Sequence, residues 1–224
     1  MNGPLHLRCA AVLFDLDGVL VDSAECVERT WRRWAQENQL DPVRVIEMAH
    51  GRRTIETVRL TAPHLDVAEE VAALESGEST TTDGIYEMAG ARELLHGLPP
   101  DTWAIVTSGT WPIASLRIRH TGLPMPRVLV CADEIQRGKP DPEGYLLAAS
   151  RLDRAPEDCV VIEDTPAGLE AARAARMRAV GVCGTYSADA LAIADLIVPR
   201  LNALRITEGV NGSALEIAAG GVSP

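Results

Sequence analysis

Short apolar runs alternate with segments of helical pattern along most of the chain. The runs are Cys9–Phe14, Thr102–Val106, Arg127–Cys131, Cys159–Ile162, Arg178–Val182 and Leu196–Val198. Continuous apolar runs of this length, most of them followed by a helical pattern, are typical of strands buried in a parallel sheet. The pattern therefore predicts an α/β fold with a doubly wound, Rossmann-like parallel sheet covered by helices.

One long interval interrupts this alternation. From residue 20 to residue 84 the pattern is helical, without a convincing β-run, and the interval is too long for a single crossover helix. We therefore expect a Rossmann-like core at 1–19 and 85–224, with an α-helical cap inserted at 20–84. The first helix of the insert should begin with Asp22 or Ser23 as its N-cap.

The segment after Asn202 is rich in glycine. Its composition predicts a short helix followed by a frayed end.

Polar residues follow several of the apolar runs at the points where the predicted strands end. Asp15 and Asp17 follow the first run, Thr107 and Ser108 follow the second, and the pair Glu163–Asp164 follows the fourth. The carboxyl ends of parallel strands share one edge of a sheet, where such folds bind ligands. These side chains are therefore expected to lie close together.

Two carboxylates two residues apart suit chemistry on a phosphate ester. Asp15 or Asp17 can attack phosphorus to form an aspartyl phosphate, while the other protonates the leaving oxygen and later deprotonates water. Thr107 and Ser108 can hold phosphate oxygens together with free backbone N–H groups. Lys139 offers a point cation that neutralises phosphate charge.

Four acidic groups beside a phosphate would repel one another unless a cation lies between them. Asp15, the carbonyl of Asp17, Glu163 and Asp164 would form an all-oxygen site, which favours Mg²⁺ over softer metals. Mg²⁺ is therefore the expected cofactor.

Charge and composition narrow the classes of partner. The 224-residue chain has 21 Lys and Arg against 32 Asp and Glu, a formal net charge of −11, which disfavours binding to nucleic acid. No apolar run approaches the roughly 20 residues that span a bilayer. Five cysteines without a C-x-x-C pair argue against a disulfide framework or a zinc cluster. We expect a cytoplasmic protein, a monomer or weak dimer, that binds a small phosphorylated metabolite and no membrane.

Four ordered segments resemble the phosphatase branch of the haloacid dehalogenase superfamily, in which a helical cap follows the first motif. They are Phe14–Ser23, Val106–Thr110, Gly138–Pro142 and Val161–Gly168. Each is moderately specific, whereas four in this order are strongly so, and the resemblance covers essentially the whole chain.

The resemblance implies a role for each matched residue. It makes Asp15 the nucleophile and Asp17 the general acid/base. It assigns the phosphoryl group to Thr107, Ser108 and Lys139. It also places Asp15, the main chain of Asp17 and Asp164 around Mg²⁺, with Glu163 close to or within the metal shell.

One run of the insert has residues that suggest a role beyond packing. His50–Thr57 has a glycine at a turn and then two arginines opening a helix, and Arg suits oriented recognition of hydroxyl or anionic groups. The run resembles the substrate-contacting loop of the superfamily's sugar- and polyol-phosphate phosphatases. The expected specificity residues are His50, Arg52, Arg53 and Glu56.

The sequence thus predicts a phosphoric monoester hydrolase, a Mg²⁺-dependent phosphatase of small phosphorylated sugars or polyols that forms an aspartyl phosphate. A β-phosphoglucomutase-like mutase would use the same Asp15 and Asp17 but return the phosphoryl group to sugar. The mutases are expected to carry a Lys-Gly start in the cap loop, where this chain has His50 and Gly51. A phosphoglycolate-type phosphatase and a non-catalytic phosphoacceptor module are the remaining alternatives.

Overall fold

The fold is described by a computed structural model over residues 6–208 and 215–219. The strands are β1 (His6–Cys9), β2 (Ala11–Phe14), β3 (Val21–Asp22), β4 (Tyr86–Glu87), β5 (Trp103–Val106), β6 (Leu129–Val130), β7 (Cys159–Glu163), β8 (Arg178–Val182), β9 (Leu196–Val198), β10 (Leu204–Glu208) and β11 (Leu215–Ala219). The helices are α1 (Ala24–Glu37), α2 (Pro42–Ala49), α3 (Thr54–Thr61), α4 (Val67–Glu78), α5 (Ala91–His96), α6 (Trp111–Thr121), α7 (Glu143–Arg151) and α8 (Pro166–Ala174).

A six-stranded parallel sheet forms the centre of the structure, in the order β6-β5-β2-β7-β8-β9. Its middle strands are buried on both faces, which is why their sequences are continuously apolar. In β2, Val12 and Phe14 pack on one face with residues of α5 and α6, while Ala11 and Leu13 pack on the other with residues of α7 and α8. The predicted doubly wound α/β class is confirmed.

Helices α1 to α4 lie in the chain between β3 and β4 and share an apolar cluster of their own. Within it the rings of Trp31 and Trp34 meet edge to face, 5.4 Å apart. The indole N–H of Trp34 donates a hydrogen bond of 2.6 Å to Glu70. These contacts explain why the tryptophan face of α1 is buried.

The expectation that residues 20–84 lack β-structure is wrong at one end. Val21 and Asp22 form β3, which pairs antiparallel with β4, so a two-stranded ribbon joins the helical insert to the core. Two-residue strands are too short to show a period in the sequence.

The expectation of a helix after Asn202 is also wrong. β10 and β11 form a three-stranded antiparallel sheet with β1, in the order β1-β11-β10. Alternating apolar residues favour strands over a helix here, and Leu204, Leu215 and Ile217 are buried. The glycines at 209, 212, 220 and 221 lie outside the described residues.

The cysteines are mostly core thiols. All five are free, and every one but Cys183 is buried. Within residues 6–208 and 215–219, none of the helices combines the length and apolar character that a membrane crossing requires.

Candidate active site

The carboxyl ends of β2, β5 and β7 open into a cavity of about 530 Å³ that the helical insert also lines. The core contributes polar side chains to its wall, including Asp15, Asp17, Thr107, Ser108, Arg117 and Asp164. The insert contributes a mixed wall that includes Val27, Glu28, Trp31, Ile46, His50 and Arg52. The structure therefore brings together the residues that follow separate strands in the sequence.

Lys139 is buried between two carboxylates. Its Nζ lies 2.8 Å from Asp15 Oδ1 and 2.6 Å from Glu163 Oε1. Burial raises the pKa of Asp15 to about 7, although the neighbouring Lys139 opposes that shift. Burial would lower the pKa of Lys139, but the two carboxylates raise it, so the side chain stays a cation.

Glu163, at the end of β7, holds Lys139 in place and accepts hydrogen bonds from several other groups. Oε1 also accepts from the hydroxyl of Tyr145 at 3.0 Å. Oε2 accepts from the backbone N–H of Asp164 and from the N–H and hydroxyl of Thr165, at 2.8–2.9 Å. Burial raises the pKa of Glu163, but the hydrogen bonds and charge of Lys139 and the hydrogen bonds of Thr165 outweigh burial. The pKa is therefore lowered, and the carboxyl group stays ionised. Both oxygens are thus already occupied by donors.

A close backbone approach explains the glycine that follows Glu163 in the motif. Gly168 lies in the first turn of α8, directly against this carboxylate, and a Cβ placed on Gly168 would lie 1.7 Å from Glu163 Oε1. No side chain fits between the helix and the carboxylate at this position.

Asp164 provides the observation that points to a metal ion. The residue is 1% exposed, and its Oδ1 has no hydrogen-bond partner in the described part of the chain. Carboxylate oxygens of Asp15, Glu163 and Asp164 lie within 4.8 Å of one another. Burial and then the charges of Glu163 and Asp15 raise the pKa of Asp164 well above its usual range. An unpartnered buried oxygen among like charges fits a hard divalent cation.

Gly18 allows Asp164 to take this position. Its φ of +81° is in the left-handed region, and a Cβ there would lie 2.0 Å from Asp164 Oδ2. The first and last motifs of the chain are therefore in contact at this glycine.

Asp17 faces the cavity and is held from two sides. Ser23 occupies the N-cap position of α1, but its hydroxyl donates to Asp17 Oδ1 at 2.6 Å instead of capping the helix. Nη1 of Arg117 lies 2.7 Å from the same oxygen. Arg117 also contacts Glu78, at the end of α4, with 2.9 Å between Nη2 and Oε2.

Sequence reasoning missed Arg117 and Glu78. Burial would lower the pKa of Arg117, but the carboxylates of Asp17 and Glu78 raise it. One signal was available, because Arg117 lies on the helical face that carries the buried Ala114 and Ile118. An arginine on a buried face requires an acidic partner, although the sequence does not say which.

Thr107 and Ser108 line the cavity at the end of β5. The hydroxyl of Thr107 accepts from the backbone N–H of Gly109 at 3.1 Å, which shapes the loop into α6. The hydroxyl of Ser108 donates to the carbonyl of Gly51, on the insert, at 2.9 Å. Ser108 thus contacts both the cavity and the insert.

The four predicted specificity residues separate into two pairs. His50 and Arg52 line the cavity. Burial lowers the pKa of His50, so the imidazole is held toward its neutral form. Both are placed where a bound molecule would touch them.

Arg53 and Glu56 instead hold the loop that leads to Lys139. The guanidinium of Arg53 donates to the carbonyls of Ile135 at 2.8 Å and Gln136 at 2.6 Å. Oε1 of Glu56 accepts from Arg53 and from the backbone N–H of Gly138. This differs from the sequence-based expectation because both side chains contact the core loop and neither lines the cavity.

Comparison with known proteins adds the family. Residues 9–176 match the haloacid dehalogenase-like hydrolases. The chain belongs to this family. The predicted resemblance is thus confirmed, and the match includes all four motifs.

Relatives of this haloacid dehalogenase-like hydrolase include two named phosphatases. Hexitol phosphatase A from Escherichia coli is 41% identical, over 93% of this chain and 99% of that protein. Glycerol-1-phosphate phosphohydrolase 2 from Saccharomyces cerevisiae is 32% identical, over 96% of this chain and 91% of that protein. The solved β-phosphoglucomutase of Clostridium difficile shares 25% identity and a TM-score of 0.75, over 88% of this chain and 93% of that one.

Proposed function

We propose that this hydrolase is a Mg²⁺-dependent phosphatase that hydrolyses a small phosphorylated sugar or polyol through an aspartyl phosphate on Asp15. The observation that carries the proposal is the pairing of Asp15 with Lys139 beside the unpartnered oxygen of Asp164, at one end of the cavity. The predicted enzyme class, a phosphoric monoester hydrolase, is confirmed by the named relatives.

The metal would be held by Asp15 and Asp164, with the main chain of Asp17 as the predicted third donor. Glu163 is the weaker candidate, because both of its oxygens already accept hydrogen bonds. When bound, Mg²⁺ supplies charge neutralisation of the phosphoryl group beside these carboxylates.

The chain's own residues carry out both chemical steps. A carboxylate oxygen of Asp15 attacks phosphorus as the bond to the sugar oxygen breaks, and Asp17 gives that oxygen a proton. Water then attacks the phosphorus of the aspartyl phosphate, Asp17 takes its proton, and inorganic phosphate leaves. Thr107, Ser108 and Lys139 bind the phosphoryl oxygens throughout.

We further propose that residues 20–84 act as a cap that recognises the rest of the substrate. The wall formed by Val27, Trp31 and Ile46 suits a carbon skeleton, while His50 and Arg52 suit hydroxyl groups. The relatives named for hexitol and glycerol phosphates support a polyol chain.

A mutase is the second candidate, favoured by the structural likeness to a β-phosphoglucomutase. Incubation with β-glucose 1-phosphate separates the two reactions. The phosphatase releases inorganic phosphate, whereas a mutase forms glucose 6-phosphate without phosphate release. Phosphate release in the mutase assay together with no isomerisation supports the proposal.

The direct test is a phosphate-release assay over a substrate panel. The panel contains hexitol phosphates, glycerol 1-phosphate, hexose 6-phosphates and phosphoglycolate, each assayed with Mg²⁺ and with a chelator. We expect the largest kcat/KM for a polyol or sugar phosphate and loss of activity with the chelator. A preference for phosphoglycolate would overturn the substrate class, and full activity in the chelator would overturn the metal.

A further inference from the structure

Arg117 is a buried cation that touches the candidate acid/base residue and the helical insert at once. Its side chain is 4% exposed, and its two terminal nitrogens contact Asp17 and Glu78. The reaction steps derived above do not use it. Burying a guanidinium is costly unless carboxylates compensate for the lost hydration, so its partners determine where it can lie.

The contacts to Asp17 converge on one oxygen. Arg117 Nη1 and the hydroxyl of Ser23 both lie within 2.7 Å of Asp17 Oδ1. Within the described residues, no hydrogen bond reaches Oδ2, and Asp17 lines the cavity. Two contacts on Oδ1 fix the orientation of the carboxyl group and leave Oδ2 as the oxygen available for proton transfer.

Glu78 holds the other side of the guanidinium. It is the last residue of α4 and its side chain is 9% exposed, so the contact with Arg117 is a buried link between the insert and the core. A planar guanidinium with both terminal nitrogens engaged has little freedom to rotate. Glu78 therefore determines the direction in which Arg117 presents Nη1.

Resting on the proposed function, we propose that Arg117, anchored by Glu78, is a positioning residue that orients Asp17 for proton transfer to the leaving group. Arg117 transfers no proton itself. The proton moves from Asp17 to the sugar oxygen as the phosphorus–oxygen bond breaks. Because Glu78 belongs to the insert, this orientation is complete only when the insert is docked on the core.

Two substrates distinguish positioning from general structural support. A sugar or polyol alkoxide needs a proton as it leaves, whereas nitrophenolate is a stable anion and leaves without one. The ratio kcat/KM reports only the steps up to departure of the leaving group. Loss of Asp17 orientation should therefore lower kcat/KM for glycerol 1-phosphate and spare that for p-nitrophenyl phosphate.

The main variant removes both buried charges so that the fold is kept. Arg117→Met alone would leave the buried carboxylate of Glu78 without a cation, but the double variant Arg117→Met with Glu78→Met replaces the pair by apolar side chains. We expect kcat/KM for glycerol 1-phosphate to fall by about 10- to 100-fold, with less than about a threefold change for p-nitrophenyl phosphate. A burst of nitrophenol is also expected, since Asp17 must still activate water in the second step.

Three further variants sharpen the test. Arg117→Lys keeps the positive charge but loses the two terminal nitrogens of the guanidinium. It should restore part of the activity that the methionine variant loses. Glu78→Gln keeps an acceptor oxygen and should remain nearer to wild type than Glu78→Leu. Arg119→Met is the matched control, because Arg119 lies on the same helix and is exposed.

The outcomes separate this inference from the proposed function. Equal losses for both substrates, or no loss for either, overturn the positioning role while the wild-type activity stands. If the wild-type chain hydrolyses neither substrate, the proposed function fails and the inference fails with it.

Discussion

Lys139 and Asp15 form an ion pair of 2.8 Å although each side chain is less than a tenth exposed. A buried pair of this kind is hard to break from one side, because the remaining charge is left without compensation. Here Glu163 shares the cation, so the pair is part of a three-residue group. Removing the charge of Asp15 therefore leaves Lys139 with Glu163 as a partner, and the proposed nucleophile can be tested without collapse of the fold.

Asp15→Asn should abolish hydrolysis with a native fold. The change removes the attacking oxygen's charge with almost no change in volume, and kcat should fall by at least about 10³-fold. Phosphate release and the circular dichroism melting curve are the measurements. Asp189→Asn, an exposed carboxylate changed in the same way, is the control. A folded Asp15→Asn protein with wild-type turnover would contradict the proposed nucleophile.

Metal affinity should rise with pH. In the metal-free protein the pKa of Asp15 is raised to about 7 and that of Asp164 is raised as well. Such carboxyls bind more protons in the folded state, so the free energy of unfolding should decrease as pH rises from about 4 to about 7. The lowered pKa of Glu163 acts in the opposite sense, with stability lost only at lower pH.

Mg²⁺ competes with those protons for the carboxylates. Its Kd should fall by up to about tenfold per pH unit for each proton displaced. Calorimetric titration at about pH 5 and about pH 8 measures the change, and chemical unfolding in a chelator measures the stability. A pH-independent Mg²⁺ affinity would show that these buried carboxyls are not the ligands.

Arg52→Ala and Arg53→Ala should give different kinetic signatures although the residues are neighbours. Arg52 lines the cavity, so its loss should raise KM for polyol phosphates and leave p-nitrophenyl phosphate nearly unchanged. Arg53 holds the carbonyls of Ile135 and Gln136, so its loss should displace Lys139 and lower activity on both substrates. Steady-state kinetics with the two substrates measure this. Identical profiles for the two variants would refute the assignment.

Gly168→Ala should be strongly destabilising. The new methyl would meet Glu163 Oε1 at 1.7 Å, which forces a buried and fully bonded carboxylate to move, at a cost of more than about 3 kcal/mol. Gly77→Ala in α4 is the matched control, since nothing lies within 4 Å of its new methyl. That variant should gain about 0.5–1 kcal/mol from helix propensity. Urea unfolding of both proteins measures the two changes in the free energy of unfolding. An unchanged free energy for Gly168→Ala would mean that α8 can shift away from Glu163.

The sequence predicts the central sheet and the meeting of the four motifs because both depend on local patterns. Buried strands are continuously apolar, and the residues that follow them must share an edge of the sheet. The roles of Arg53 and Arg117 could not be predicted in the same way. Where a long charged side chain points depends on which element packs beside it, and that is a tertiary property.

The misassigned tail shows a different limit. Counting its glycines suggested a frayed end, whereas the apolar alternation of Leu215 and Ile217 determines a strand against β1. The partner strand lies about two hundred residues away in the sequence, so a local window does not contain the pairing.

The short ribbon of β3 and β4 has a mechanical consequence. Both chain segments that connect the insert to the core are hydrogen-bonded to each other, with Val21 opposite Glu87. The hydrogen bonds between the two connections couple their movements. The backbone N–H of Gly18, next to Asp17, donates to the carbonyl of Val21 in the same ribbon. A twist of the insert would therefore exert torque on the loop that carries Asp17, the proposed catalytic acid.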